Sequence, residues 1–267
     1  MLWRAIKVNL DEEILLRQHT HIYDVWLRRS RRCPLGIQIV GCREEECFSE
    51  VLENVISHRV RWEYLELSEG MPFNLSAIEG PMPLVRDLHL SLLDPDLEVK
   101  VAFYEMPMLR TVFLNDCAVA SVILPWIQLT SLTLYNVYPS ECSPILQQTP
   151  NLVQCKLHVW LERHNPHPEP NIRLPNLESL VLRNFRSSPV LGYLQTFLVP
   201  ALRSLSVPER LVRPNPIESL TSFITKSECR LQQVRITGES SVPEASYRDA
   251  LRSAKEISVG NLHPDDE

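Results

Sequence analysis

A short phrase of apolar residues recurs along this chain. It has apolar residues at its first, fourth and sixth positions, and it appears eight times with its fourth positions 20 to 29 residues apart. Proline stands two residues before five of the copies. Even spacing of this kind is typical of a repeat protein. The copies are Trp62–Leu67, Val85–Leu90, Leu109–Leu114, Leu129–Leu134, Leu152–Leu157, Leu177–Leu182, Leu202–Val207 and Leu231–Ile236.

The spacing inside the phrase predicts a short strand. Its fourth and sixth positions are two residues apart, so they point to the same face of a strand, and that apolar face must be buried. One such strand cannot bury its apolar face alone, so stacked copies form a parallel sheet while the intervening segments return along the outside. The sequence therefore predicts an α/β fold, a leucine-rich-repeat-like solenoid with outer helices or loops and an N-terminal helical cap.

One domain over residues 1–267 is expected, with a cap over 1–57, repeats over 58–260 and a frayed acidic tail over 261–267. In the cap, the pattern predicts a helix over 11–29, a strand over Leu35–Val40 and a helix over 44–57. A last strand is expected around Ile257 and Val259.

Some of the return segments are also expected to be helical. Ser143-Pro144 and Asn215-Pro216 each combine a capping side chain with a proline suited to the first helical position. Apolar stripes predict further helices over 190–197 and 247–254.

Composition narrows the possible partners and locations. The net charge is −6 and the pI is near 5.8, which disfavours nucleic acid as a partner. Seven scattered cysteines do not form the even framework of a secreted disulfide scaffold. The start resembles no signal peptide and no stretch is long enough to span a bilayer, so we expect a cytoplasmic and/or nuclear protein without membrane contact.

The outward positions of the phrases predict a partner-binding surface. Phe113 and Tyr135 are expected to lie near one another at its centre, as aromatic anchors of binding surfaces often do. The basic residues beside them are Lys156, His158 and Arg183. Together with the two aromatic rings they suit a ligand that has an apolar residue and an acidic neighbour. The alternative left open is that these are ordinary exposed sheet residues. The candidate partner-binding residues are Phe113, Tyr135, Lys156, His158, Arg183, His89 and Arg235.

No catalytic residue, metal site or cofactor is predicted. Cys155-x-x-His158, with His164 and His167 further on, superficially offers zinc ligands, but strand alternation turns Cys155 and His158 to opposite faces. Cys117 and Cys142 have no local partner motif for a nucleophile, and the chain contains no catalytic or phosphate-binding motif.

Three stretches carry a family resemblance: Leu2-Trp3-x-x-Ile6-x-Val8, Val25-Trp26-Leu27-Arg28-Arg29-Ser30 and Cys33-Pro34-Leu35-x-Ile37-x-Ile39. With them the chain resembles the fungal F-box proteins with degenerate leucine-rich repeats, which are abundant in mushroom-forming species. The resemblance covers essentially the whole chain. It implies an F-box upstream of Leu2 that docks a Skp-type adaptor, and repeats that select substrates for a cullin-based ubiquitin ligase. Only Cys117 stands where the repeat pattern wants asparagine or cysteine, three residues after the sixth position.

The function predicted from these features is non-enzymatic protein recognition. The first hypothesis is the substrate-recognition part of an F-box type ubiquitin-ligase receptor lacking its F-box. Its partners are a protein substrate and, only if an upstream F-box exists, a Skp-type adaptor and a cullin. The second is a stand-alone repeat scaffold with no role in ubiquitin transfer. The third is a hydrolase on a repeat frame, which would need a nucleophile and a base that converge in space.

Overall fold

The computed structural model describes residues 5–9, 13–40, 49–68, 75–92, 100–160, 171–184 and 192–260. The chain folds as two compact units, Met1–Leu129 and Thr130–Glu267. Both units consist of parallel strands joined by helices, 3-10 turns and short strands, so the predicted α/β class is confirmed. The single-domain boundaries stay a prediction.

The first unit is built on parallel strands that pair in the order β1-β2-β3-β4-β6. A separate pair of short strands, β5 and β7, lies among the return segments. The elements are β1 (Ala5–Asn9), α1 (Glu13–Arg29), β2 (Leu35–Val40), α2 (Ser49–Ile56), β3 (Trp62–Ser68), β4 (Asp87–Ser91), β5 (Val101–Ala102), β6 (Thr111–Asn115), α3 (Asp116–Ser121) and β7 (Val122–Ile123), with 3-10 turns at Arg59–Arg61, Leu75–Ile78 and Trp126–Gln128.

The second unit repeats this plan with the strand order β8-β9-β11-β13-β14-β15. Here β10 and β12 form the short pair among the return segments. The elements are β8 (Ser131–Val137), α4 (Pro139–Gln147), β9 (Gln154–Val159), β10 (Ile172–Arg173), β11 (Ser179–Asn184), β12 (Phe197–Leu198), β13 (Ser204–Pro208), α5 (Pro216–Ser227), β14 (Gln233–Thr237), α6 (Glu244–Ala250) and β15 (Glu256–Gly260), with 3-10 turns at Tyr193–Thr196 and Glu209–Leu211.

The apolar positions of the phrase form the core, as the alternation predicts. All first, fourth and sixth positions of the eight copies are at most 2% exposed, from Trp62 to Ile236. They are also in register, because Leu65 pairs with Leu88 and Leu88 with Val112 in the first unit. The apolar side chains of neighbouring strands therefore lie side by side in the core.

Turns before the strands explain the regular prolines. The amide of the first apolar position donates to the carbonyl three residues earlier in seven of the eight copies, for example Leu109 to Met106 at 3.2 Å and Leu202 to Val199 at 3.1 Å. In five of them proline is the second residue of the turn. Proline suits that position because its ring fixes φ near the value that the turn requires. The prolines therefore fix where each strand begins.

Asn115 bridges two strand ends in the first unit. Its side-chain amide donates to the carbonyl of Leu92 at 2.6 Å and accepts from the Leu92 amide at 3.1 Å. Its oxygen also accepts from the amide of Ala118 and so caps α3. The backbone-bridging asparagine thus stands directly after the sixth position, whereas the repeat pattern pointed to Cys117.

The N-terminal segments largely follow the prediction. Helix α1 ends at Arg29 as predicted, β2 has the predicted bounds, and α2 begins at Ser49, while residues 11–12 and 44–48 lie outside the described residues.

The buried Ser30 donates to the carbonyl of Leu27 at 2.6 Å and accepts from Arg61 at 2.6 Å. Arg61 also donates to the carbonyl of Cys33 at 3.0 Å. This arginine therefore ties the end of α1 to the approach of β2.

The helix between β8 and β9 does not begin at Ser143-Pro144. Helix α4 begins at Pro139, so Pro144 lies inside it. Proline fits the first helical turn because no amide hydrogen is needed there. The Glu141 carboxylate accepts from the amide of Tyr138 at 2.7 Å and satisfies a backbone donor at the helix start.

Of the three other helix predictions, two are only partly right and one is wrong. Helix α5 does begin at Pro216, but the Asn215 amide donates to Glu218 at 3.0 Å rather than capping the backbone. The predicted helix over 190–197 is wrong in its described part, which is a 3-10 turn followed by strand β12. Helix α6 ends at Ala250 and does not reach residue 254. The last strand, β15, includes Ile257 and Val259 as predicted.

Replacing Leu132 with alanine should destabilise the fold by about 2 to 5 kcal/mol, because its fully buried side chain would leave a cavity. Thr133→Ala, one residue away on the opposite face of β8, is the matched control and should change the free energy by less than about 0.5 kcal/mol. Urea denaturation measures both changes. Equal losses in the two variants would contradict the assignment of faces.

Asn115→Ala should cost about 1 to 3 kcal/mol, since it removes a helix cap and leaves the Leu92 backbone groups without this partner. Asn115→Asp keeps the acceptor and loses only the donor, so its loss should be smaller. Thermal unfolding of the three proteins would give this order. Unchanged stability in the alanine variant would show that the bridge contributes nothing.

Candidate functional site

Apart from β1, which carries Lys7, and β15, which carries Glu256, the strands of the two units carry opposite charges on their outward sides. Strands β8, β9, β11, β13 and β14 contain three cations and no aspartate or glutamate within their ranges. Strands β2, β3, β4 and β6 contain acids and no lysine or arginine. Charged side chains on a strand can point only away from an apolar core, so the two outward surfaces differ in sign. The cations are Lys156, Arg183 and Arg235, and the acids are Glu63, Glu66 and Asp87.

In the first unit, Glu66 is held at the centre of a polar cluster. Gln38 on the neighbouring strand donates to one carboxylate oxygen at 2.9 Å, and the Tyr64 hydroxyl donates to the other. Burial alone would raise the pKa of Glu66, but the hydrogen bonds from Tyr64 and Gln38 lower it. The carboxylate is therefore ionised and fixed in position at neutral pH.

A stacked ring pair continues the same row. His89 is in register with Glu66 on one side and with Phe113 on the other. The ring centroids of His89 and Phe113 are 3.9 Å apart with an angle of 28° between the planes. Burial lowers the pKa of His89, although Glu66 opposes this, so the imidazole is neutral at neutral pH. We name Gln38, Tyr64, Glu66, His89 and Phe113 the Glu66 face.

In the second unit, His158 departs from the exposure that the alternation predicts. Its side chain is only 8% exposed. Tyr135 and Arg183 are its in-register neighbours on either side, and the Tyr135 and His158 ring centroids are 4.8 Å apart at 41°. The outward position was assigned correctly, but the two large neighbours cover the imidazole. The seventh positions Pro208 and Thr237 are likewise buried.

Two cations surround this imidazole. Burial, and then the charges of Arg183 and Lys156, lower the pKa of His158 to about 4. The imidazole is therefore neutral at neutral pH, and the positive charge of this surface comes from Lys156 and Arg183. Lys156 is exposed and Arg183 is half-buried. We name Tyr135, Lys156, His158 and Arg183 the His158 face.

The structure brings together two subsets of the candidate residues. His89 and Phe113 are stacked in the first unit, and Tyr135, Lys156, His158 and Arg183 cluster in the second. Arg235 lies three strands from Lys156 in the same row, about 14 Å away by strand spacing. Phe113 and Tyr135 belong to different units, so their proximity stays a prediction.

The suspected zinc ligands do not converge in the described residues. Cys155 is 1% exposed in the core, where burial raises the pKa of its thiol, whereas the His158 ring lies against Tyr135 on the outward row at a tilted angle. His164 and His167 lie outside the described residues, which hold no group of three metal-ligating side chains. Cys142 is buried and Cys117 half-buried, and the five cysteines that the structure describes form no disulfide.

Glu209 is a buried charged group that no sequence pattern pointed to. It is fully buried beside the end of β13. One carboxylate oxygen accepts from the amide and hydroxyl of Ser241 at 2.7 and 2.6 Å, and the other accepts from Tyr247 at 2.9 Å and from Ser240. Burial alone would raise its pKa, but these hydrogen bonds lower it to about 2.

The arrangement around Glu209 is structural. Its donors come from the segment after β14 and from α6, so the carboxylate ties both to the end of β13. Arg213 approaches at 3.4 Å and supplies a countercharge. With its oxygens satisfied and its surface covered, this carboxylate is not placed to accept a proton from a substrate. No local motif marks it, because its donors are 31 to 38 residues away in sequence.

None of the helices in the described ranges is long and apolar enough to cross a membrane. Comparisons with known proteins give no match: no family model matches the chain, nor does any curated protein or solved structure.

Stability should fall in acid because of Glu209. Its folded-state pKa of about 2 lies below the roughly 4.3 of an unfolded glutamate. The stabilisation is thus complete above about pH 5 and is lost as the pH falls towards 2. Glu209→Gln should cost on the order of 2 to 3 kcal/mol at pH 7 and flatten this pH dependence.

Urea denaturation of both proteins between pH 7 and pH 3 measures this difference. The two stability curves should converge as the pH falls. Parallel curves would mean that the carboxylate does not carry the effect. Asp249→Asn, at an exposed position of α6, is the matched control and should leave the curve unchanged.

Proposed function

We propose that this chain is a leucine-rich-repeat-like solenoid that recognises a protein partner through its strand faces. The observation that carries the proposal is the placement of aromatic and charged side chains in register on those faces. Stacked rings such as His89 and Phe113, at 3.9 Å, present apolar area at low entropic cost, which suits the centre of a binding surface. The Glu66 face and the His158 face each combine such rings with ionised groups.

The proposal includes the ubiquitin-ligase role that the family resemblance implies. In that role the chain is the substrate-recognition part of an F-box type receptor and has no catalytic function. An upstream F-box would recruit a Skp-type adaptor and a cullin, and the location would be cytoplasmic and/or nuclear. The N-terminal segments 1–57 would cap the solenoid.

The N-terminal stretches that carry the resemblance support this proposal. Ile6 and Val8 in β1 pair with Ile37 and Ile39 in β2. The Trp-Leu-x-x-Ser stretch ends α1, and its serine and the following Cys33 carbonyl both accept from Arg61. These residues have a joint structural role, which is a reason for a family to share them.

Phe113→Ala should reduce partner capture about tenfold, because it removes one ring of the stacked pair from the proposed surface. Tyr104→Ala is the matched control, since Tyr104 is an aromatic residue 69% exposed on a return segment of the same unit. Quantitative affinity capture with mass spectrometry measures both variants, with thermal unfolding as the check of fold. Equal capture by all three proteins would reject the strand-face role.

Capture with and without upstream coding sequence tests the ubiquitin-ligase role. Recovery of a Skp-type adaptor and a cullin only with the extended form would support a receptor. Retention of other proteins by both forms, with neither subunit recovered, would point to a repeat scaffold without ubiquitin transfer.

A further inference from the structure

We propose that the His158 face binds an acidic peptide segment of the partner protein, with Lys156 and Arg183 contacting carboxylates and the Tyr135 ring, backed by His158, contacting an apolar side chain. This inference rests on the proposed function, because it names the chemistry of the partner. It commits to carboxylate side chains on a polypeptide.

The two cations are placed to act together. Lys156 and Arg183 lie on adjacent parallel strands and are offset by two residues, since Arg183 is in register with His158. Strand geometry sets their Cα atoms about 8 Å apart. The charges of both side chains lower the pKa of His158, which is next to each of them in the sheet. The two groups therefore bracket one patch of surface, and they can contact neighbouring carboxylates of one extended segment.

The positive charge of the His158 face favours an acidic peptide segment as its ligand. Strands β8 to β14 of the main sheet carry no acid within their ranges, although the chain has a net charge of −6. The positive face is thus a local feature against an acidic average. It attracts a short acidic segment, whereas a long polyanion such as nucleic acid would also meet the negative charge of the rest of the chain.

The neutral ring pair supplies the apolar contact. Tyr135 is half-buried and its ring lies 4.8 Å from that of His158. The Tyr135 ring, backed by this uncharged imidazole, is therefore the apolar surface on which a side chain of the partner can pack. The face therefore combines an apolar centre with cations at one side, which is a common arrangement of a binding hot spot.

The test uses the full chain and short fluorescently labelled peptides in which glutamate alternates with leucine or phenylalanine. A control peptide has glutamine in place of every glutamate. Fluorescence anisotropy should show saturable binding of the glutamate peptide only, weakening with added salt. Lys156→Gln and Arg183→Gln should each weaken binding about tenfold. Arg252→Gln, which changes the same charge at an exposed residue after α6, should have no effect.

A second readout follows the imidazole by NMR. A bound carboxylate offsets the charges of Lys156 and Arg183, so the peptide should raise the pKa of His158. Among the described residues, the groups shown to act on this imidazole are Tyr135 from β8, Lys156 from its own strand and Arg183 from β11. This readout responds to an anion at the site and not to a general loss of fold.

Three outcomes would overturn the inference. These are equal binding of the glutamate and glutamine peptides, binding that neither substitution weakens, and self-association of the chain that Arg183→Gln abolishes, which would make a second copy the occupant. Partner capture that still depends on Phe113 would leave the proposed function standing in each case. Loss of that dependence would reject the proposed function whatever the peptide does.

Discussion

A hydrogen-bonded turn precedes seven of the eight strands that carry the phrase, and it sets where their alternation of buried and outward positions begins. It brings the first apolar residue of the phrase into the core, with its amide bonded three residues back, as for Leu109 and Leu202. The alternation that follows then leaves no choice of faces, because positions four and six must be buried and position five must point outward. A shift of one residue would exchange Leu132 and Thr133 and place a polar row in the core.

Local sequence was sufficient for the parts of the fold that depend on neighbouring residues. The buried positions, the bounds of β2 and the start of α5 at Pro216 all follow from patterns a few residues long. The start of α4 was missed because Ser143-Pro144 and Pro139 both offer a proline for a helix start. Tertiary packing and the Tyr138–Glu141 contact favour the earlier one.

Features made by residues distant in sequence could not be predicted in this way. His158 is buried by Tyr135 and Arg183, which are neighbours only because of strand register. Asn115 donates a hydrogen bond to a carbonyl 23 residues earlier. Glu209 accepts hydrogen bonds from serine and tyrosine residues that are 31 or more residues later. Strand alternation therefore predicts which face a side chain occupies but not its environment, and exposure in particular depends on the size of lateral neighbours.

The two faces and the Glu209 network show how this chain separates the roles of its charges. The Glu209 carboxylate accepts hydrogen bonds from donors inside the protein, and these bonds hold its pKa far below the usual range. Glu66 is similarly fixed, but on an outward row where a partner could reach it. Lys156 and Arg183 lie beside a neutral imidazole, whose pKa they lower. Charge placement, rather than net charge, therefore decides what each face can bind.

The proline turns also determine how this molecule can change over evolutionary time. The steps between repeats range from 20 to 29 residues, and those that end at a proline-led copy range from 23 to 25. Neighbouring strands are nevertheless in register. An insertion in a return segment is thus absorbed before the next strand begins. Outward residues can also be exchanged singly without disturbing the core. The architecture therefore allows the outward side chains to diversify while the buried scaffold stays constant.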